Sequence, residues 1–215
     1  MTKRYVFNEI VTQVSENLKN EGFEYQKSNG RILRVYPEGF DVIIFKIVDY
    51  WPVFEIETFL GIRINKVEDI VNLFLKYSFA SPKYMKYTET IGTSYMVLSG
   101  AKENCIKFET EEDFNKAIKE LIILIKNKGL DYFKKHRHVE TANTLKKTQI
   151  LSEDNGINYV IGNLMQSLTL MKLCNDPDFE KLRVKYKELY VPFVGEEESG
   201  RKAMDDLIEY LKELN

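Results

Sequence analysis

FDVIIFKIVDYWPVFEIETFLGIRI, residues 40–64, is the densest run of β-branched and aromatic side chains in the chain. Val, Ile and Phe suit a pleated, half-buried surface, so the run predicts two long strands joined at Asp49-Tyr50-Trp51-Pro52. With Asp49 opposite Pro52, Lys46 faces Glu55 and Phe45 faces Ile56. One face then carries Ile43, Phe45, Ile47, Phe54, Ile56, Leu60 and Ile62; the other carries Ile44, Lys46, Glu55, Glu57 and Phe59. A one-residue slip exchanges the faces, so burial of the first set fixes which side each residue takes. The Lys46–Glu55 pair is a cross-strand contact of about 0.2–1 kcal/mol. Residues 42–45 are apolar on both faces, which predicts an interior strand covered on both sides.

Working outward from the hairpin, the preceding segment extends it into a meander. Phe7, Ile10, Val11, Val14 and Leu18 form one helical stripe, and Gly22 supplies its stop. Asn29-Gly30 between two short apolar runs predicts a type I′ hairpin pairing Ser28 with Arg31 and Gln26 with Leu33. Pro37-Glu38-Gly39 turns the chain into the central hairpin. The result is a four-stranded antiparallel meander.

On the C-terminal side, Asn65 caps a helix bearing Val67, Ile70, Val71, Phe74 and Tyr77. Residues 78–90 read as a loop, and residues 91–98 and 104–109 as two further strands around Ser99-Gly100. Thr110 caps an acid-led helix with the stripe Phe114, Ile118, Leu121, Ile122 and Ile125, ended or interrupted at Gly129. Ile157, Val160, Ile161, Leu164, Leu168 and Met171 line a later helix. Asp176-Pro177 starts another, with Phe179, Leu182, Tyr186 and Leu189 on its face, and Ser199 begins a last one with Ala203, Met204, Leu207, Ile208 and Leu211. The fold class is α+β: an antiparallel meander packed by helices, then a helical C-terminal region. Residues 1–137 are assigned to the α+β domain, 138–156 to a polar linker, and 157–215 to helices packing on the first domain.

The composition is that of a folded chain, with 215 residues, 44% hydrophobic and 30% charged. A net charge of -2 argues against whole-protein affinity for nucleic acid or an anionic membrane. Cys105 and Cys174 have no ligand spacing and read as buried thiols. No run reaches membrane-spanning length, and the first residues lack a signal-peptide core, so a reducing cytoplasm is expected.

Several constellations invite a function. Both histidines fall in Lys134-Lys135-His136-Arg137-His138. An extended HxH with Glu140 places ligands on one face, whereas a helix makes them diverge and leaves a solvated basic helix end. Seven Lys or Arg stand against two acids between Lys126 and Lys147, a stretch that suits a nucleic acid or another acidic partner. GEEESGRK, residues 195–202, has the glycines of a phosphate loop, but Arg201 replaces the lysine and three glutamates repel phosphate. Arg31, Arg34, Lys46, Glu55 and Glu57 form a candidate polar sheet face, with cross-strand ion pairing as the competing account; Arg34 faces Asp41 and Arg63 continues the face. Tyr50 and Trp51 at the hairpin tip, with Tyr84 and Tyr87 in the loop at 79–87, form a candidate interaction surface, because Trp and Tyr dominate interface hot spots. Packing of the tip under the C-terminal helices is the alternative. No catalytic residue, cofactor site or metal site is assigned.

Gly22-Phe23 after a helix, Leu60-Gly61-Ile62 in the meander, the capped helix from Thr110 to Phe133 and Asp176-Pro177-Asp178 in the helical tail resemble a group of bacterial domains of unknown function. Some of those domains are similar to immunity proteins encoded beside toxins. The resemblance implies a non-enzymatic protein-interaction module of immunity or antitoxin type, with another protein as partner and no cofactor. The alternative is a small-ligand-binding or enzymatic domain on the concave sheet face.

Overall fold

The computed structural model describes residues 1–75, 85–151, 161–189 and 197–214. The strands are β1 (Glu24–Gln26), β2 (Arg31–Tyr36), β3 (Gly39–Tyr50), β4 (Val53–Ile64), β5 (Ile91–Ser94) and β6 (Cys105–Phe108). They form one antiparallel sheet ordered β1-β2-β3-β4-β5, with β6 also pairing β4. The helices are α1 (Lys3–Leu18), α2 (Asn65–Leu75), α3 (Tyr95–Ser99), α4 (Glu111–Leu124), α5 (Leu130–His136), α6 (Val139–Leu151), α7 (Ile161–Leu173), α8 (Phe179–Leu189) and α9 (Glu197–Glu213). The chain is therefore α+β with a helical C-terminal region.

Two compact units divide it: residues 1–62 with 92–135, and residues 63–91 with 136–215. Segment 63–91, which the sequence reading joins to the first 137 residues, groups with the C-terminal helices. Residues 139–151 of the expected linker form α6.

In the first unit the meander keeps its expected faces while both early turns differ by two residues. Gln26 pairs Arg31 and Glu24 pairs Leu33, so the loop at Asn29-Gly30 has four residues and is not type I′. Asn29 does not take positive φ; its Oδ1 accepts from the Arg31 amide at 3.2 Å. Gly30, at φ +70°, and Asn29 both donate to the Gln26 carbonyl. Four-residue hairpin loops are among the next commonest closures after the two-residue turns. At the central hairpin, Tyr50 and Val53 end and begin their strands around Trp51-Pro52. Lys46 accordingly meets Glu57 at 2.8 Å, in place of the expected Glu55. A shift of two residues preserves side-chain parity, so the faces survive.

Ile43, Phe45, Ile47, Phe54, Ile56, Leu60 and Ile62 are all buried, and Val42 is buried on the opposite side of β3. Inner-face Phe108 stacks on Phe54 with centroids 5.5 Å apart and meets Phe114 of α4 at 5.0 Å. Val6, Ile10, Val11, Val14 and Leu18 bury the inner stripe of α1. Thr110 caps α4 by accepting from the Asp113 amide, behind which Phe114, Ala117, Ile118 and Leu121 are buried. A π turn at Ile125–Gly129 separates α4 from α5.

Residues 95–99 form helix α3, where a strand was expected, and β6 does not hairpin with β5. Its register on β4 pairs Phe54 with Phe108 and Glu57 with Cys105. Gly92 in β5 lies under the Phe59 ring: a Cβ there would stand 2.0 Å from Cζ. The ring takes the space a side chain would need, so β5 admits only glycine at this point without displacing Phe59.

In the second unit, α7 is buried around most of its circumference between Ile161 and Met171. Such a helix is central, not a surface amphipath. Ala203, Met204, Leu207, Ile208 and Leu211 of α9 are buried as the pattern predicts. Helix α9 starts two residues before Ser199. Tyr77, Ile157, Val160, Gly195 and the side chains of Tyr186 and Leu189 lie outside the described residues.

Candidate functional site

Two 12-residue strands, held on one face by the core, carry the hairpin tip. The sequence there has polar Asp49, two aromatics and a proline, with nothing apolar nearby in the turn to fold them inward. Tyr50 is 63% exposed and Trp51 is 84% exposed. The Trp51 amide is fixed by Asp49 Oδ1 at 3.2 Å, so the turn's backbone is ordered although its side chain is not covered. Both tip side chains thus present most of their surface to solvent. The other aromatics of the candidate surface do not extend it: Tyr87 is half-buried, and Tyr84 lies outside the described residues.

The candidate polar face separates into two sides of the sheet. Arg34 pairs Asp41 directly across β2 and β3, and Asp41 shares the inner face with Ile43 and Phe45. The guanidinium donates to Asp41 Oδ2 through Nε at 2.8 Å, with Nη2 also 2.8 Å from that oxygen. Nη1 donates to the Glu21 carbonyl at 3.1 Å, and the guanidinium carbon sits 4.4 Å from the Phe23 centroid. Asp41 also accepts from the Tyr36 hydroxyl at 3.3 Å. Arg34, itself half-buried, is thus committed to a multiply bonded pair with the buried Asp41, as expected of a planar fork over an aromatic ring.

Arg31, Lys46, Glu55 and Glu57 share the outer side. Lys46 bonds Glu57, which holds its ammonium above the ordinary value. Glu55 pairs Lys107 across β4 and β6, 3.8 Å from the Lys107 ammonium, which also binds Glu103 at 2.6 Å. These residues form a cross-strand charge ladder; Lys46 and Lys107 line separate hollows, so the set does not converge on a single cavity.

Two hollows lie in the first unit. One, of about 530 Å³, is lined by Lys3, Arg4 and Phe7 of α1 and by Phe45, Lys46 and Ile47 of β3. The other, of about 490 Å³, lies along β6 and the start of α4, with Val53, Lys107, Asp113 and Glu120 among its lining.

Sequence reasoning missed a polar cluster inside the second unit. Glu68, on α2, has no exposed surface. Its carboxyl accepts from Thr88 Oγ1 at 2.6 Å, Thr90 Oγ1 at 2.9 Å and Gln166 Nε2 at 2.8 Å. Gln166 also donates to the Glu89 carbonyl and accepts from Lys146 Nζ at 3.1 Å. Lys146, 6% exposed, donates in addition to Asn163 Oδ1 at 3.0 Å. Burial lowers its ammonium to about 8, against the opposing pull of Glu68. Arg63 does not continue the outer sheet face; it is buried and bonds Asn65, Asp69, Met85 and Thr88. The sequence signal was a glutamate, a glutamine and a lysine at core-facing positions of three helices, masked by attention to apolar stripes. A cluster so fully hydrogen-bonded reads as an internal clasp.

Among the described residues no group of three or more His, Cys, Asp or Glu side chains is placed to hold a metal. His136 closes α5 and His138 lies beyond it. Both cysteines are half-buried, less covered than expected, and burial raises both thiols. Among those residues no helix is long and apolar enough to cross a membrane. Comparison of the chain with protein-family models, curated proteins and solved structures finds no match.

Proposed function

We propose that this chain is a non-enzymatic protein-interaction module, of the immunity or antitoxin type, that meets its partner with the β3–β4 hairpin tip. The observation carrying the reading is the exposure of Trp51, the single tryptophan of the chain. A large indole left in water on an ordered turn supports a contact role, because association recovers the apolar area that folding left uncovered. The strands behind it are fixed by a buried inner face, so the tip is presented with little ordering left to do on binding. The alternative, ligand binding or catalysis on the sheet face, is weakened by the engagement of Arg34 with Asp41, Lys46 with Glu57 and Lys107 with Glu55. The test is capture from a lysate of the native host with wild type and Trp51→Ala. Loss of a specific partner with the variant supports the reading; recovery of the same partners in equal amount contradicts it. A toxin-like gene next to this one would support the narrower immunity reading, and a metabolic operon would count against it.

A further inference from the structure

We infer that the groove between α1 and β3 takes an acidic peptide segment of the partner, with one bulky apolar side chain seated on its floor. The inference rests on reading the tip end of the first unit as a contact surface. The groove's floor is aromatic and aliphatic: Phe7, Phe45 and Ile47. Its volume of about 530 Å³ falls within the roughly 300–1,000 Å³ range of ligand-sized sites. On the α1 side its rim is cationic, formed by Lys3 and Arg4, while Lys46 lines it from β3 with its ammonium bonded to Glu57.

The charge is not evenly spent. Lys46 shares its charge with Glu57, whereas Lys3 and Arg4 are exposed and have no ion-pair partner among the described residues. In a chain of net charge -2, two unpaired cations beside an apolar floor form a local positive field that a carboxylate-bearing segment complements. Rim charges of this kind steer association and make it salt-dependent, while the buried anchor sets the lifetime of the complex. The groove is lined by β3, the strand that leads to the tip, and neither Tyr50 nor Trp51 is part of its lining.

The test is selection of a displayed random peptide library on the wild-type protein, followed by binding of the selected peptides to three proteins. These are wild type, the double variant Lys3→Glu/Arg4→Glu, and Trp51→Ala. Both charge reversals are at exposed positions without ion pairs, so the fold should persist, and circular dichroism checks this. The selected peptides should be net acidic and carry a large apolar residue. Their affinity should fall about tenfold with the double reversal and decline with added salt. Neutral or basic selected peptides, no enrichment, or equal affinity for the folded double variant would overturn the inference. Acidic peptides that depend on Lys3 and Arg4, alongside a cellular partner indifferent to Trp51→Ala, would uphold the groove and sink the tip. The opposite pattern would do the reverse.

Discussion

Gln166 Nε2 donates to Glu68 Oε1 at 2.8 Å across 98 positions of sequence, tying α7 to α2. The bond matters because both groups are buried, and a buried carboxyl deprived of a donor loses more than the net value of a hydrogen bond. Gln166→Leu keeps the volume but removes a donor from Glu68 and an acceptor from Lys146. A loss of about 3 kcal/mol is expected in urea denaturation. A change near zero would mean that the cluster does not hold the second unit together.

Lys146 gives that cluster a pH signature. Its folded value of about 8 lies below the ordinary 10.5, so between these pH values the unfolded chain binds more protons. This contribution to stability therefore rises with pH across the window, and below it the full penalty applies. Integrated, the penalty is roughly 3 kcal/mol. Tyr95, raised to about 12 by burial and by its bond to Glu120, opposes the trend at high pH, so a difference curve is needed. The stability of Lys146→Met minus that of wild type should decrease from pH 8 to pH 10. Parallel curves would show that Lys146 titrates like a solvated lysine.

Arg34 tests whether the inner sheet charge is structural. Arg34→Ala leaves Asp41, which has no exposed surface, without its guanidinium. The expected loss is about 3–5 kcal/mol by thermal or chemical denaturation. Arg34→Lys should recover only part of it, because a point charge cannot reproduce the fork or the stacking on Phe23. Full recovery by lysine would contradict the geometry.

Gly92 and Phe59 should be coupled. Gly92→Ala forces the Phe59 ring aside, for a loss of about 1–3 kcal/mol. In the Phe59→Ala background the same substitution should be nearly neutral, since the obstructing atoms are gone. Additive effects in the double variant would refute the close approach.

The meander was legible because its information has a period of two. Every inner-face residue from Ile43 to Ile62 kept its side, although the turns at Asn29-Gly30 and Trp51-Pro52 each set the pairing two residues away from expectation. Turn type depends on whether Asn29 takes positive φ or instead bonds the Arg31 amide, and the dipeptide alone permits both. Residues 95–99 misread as strand because a short apolar run does not reveal its period. The tip's exposure was undecided in sequence, since a Trp-Tyr pair suits a core as well as a surface. The Glu68–Gln166–Lys146 cluster was illegible for another reason: its members become neighbours only once α2, α6 and α7 are packed.

The central claim is that Trp51 is the contact residue, and the chain reports on it directly, because Trp51 is its single tryptophan. Acrylamide quenching of tryptophan fluorescence should be followed in the free protein and after adding the purified partner, by excess quenching or with a tryptophan-free partner fragment. The free protein should be quenched like indole in water, and complex formation should shift the emission to the blue and protect it. A complex that forms with Trp51 still fully quenched would contradict the account.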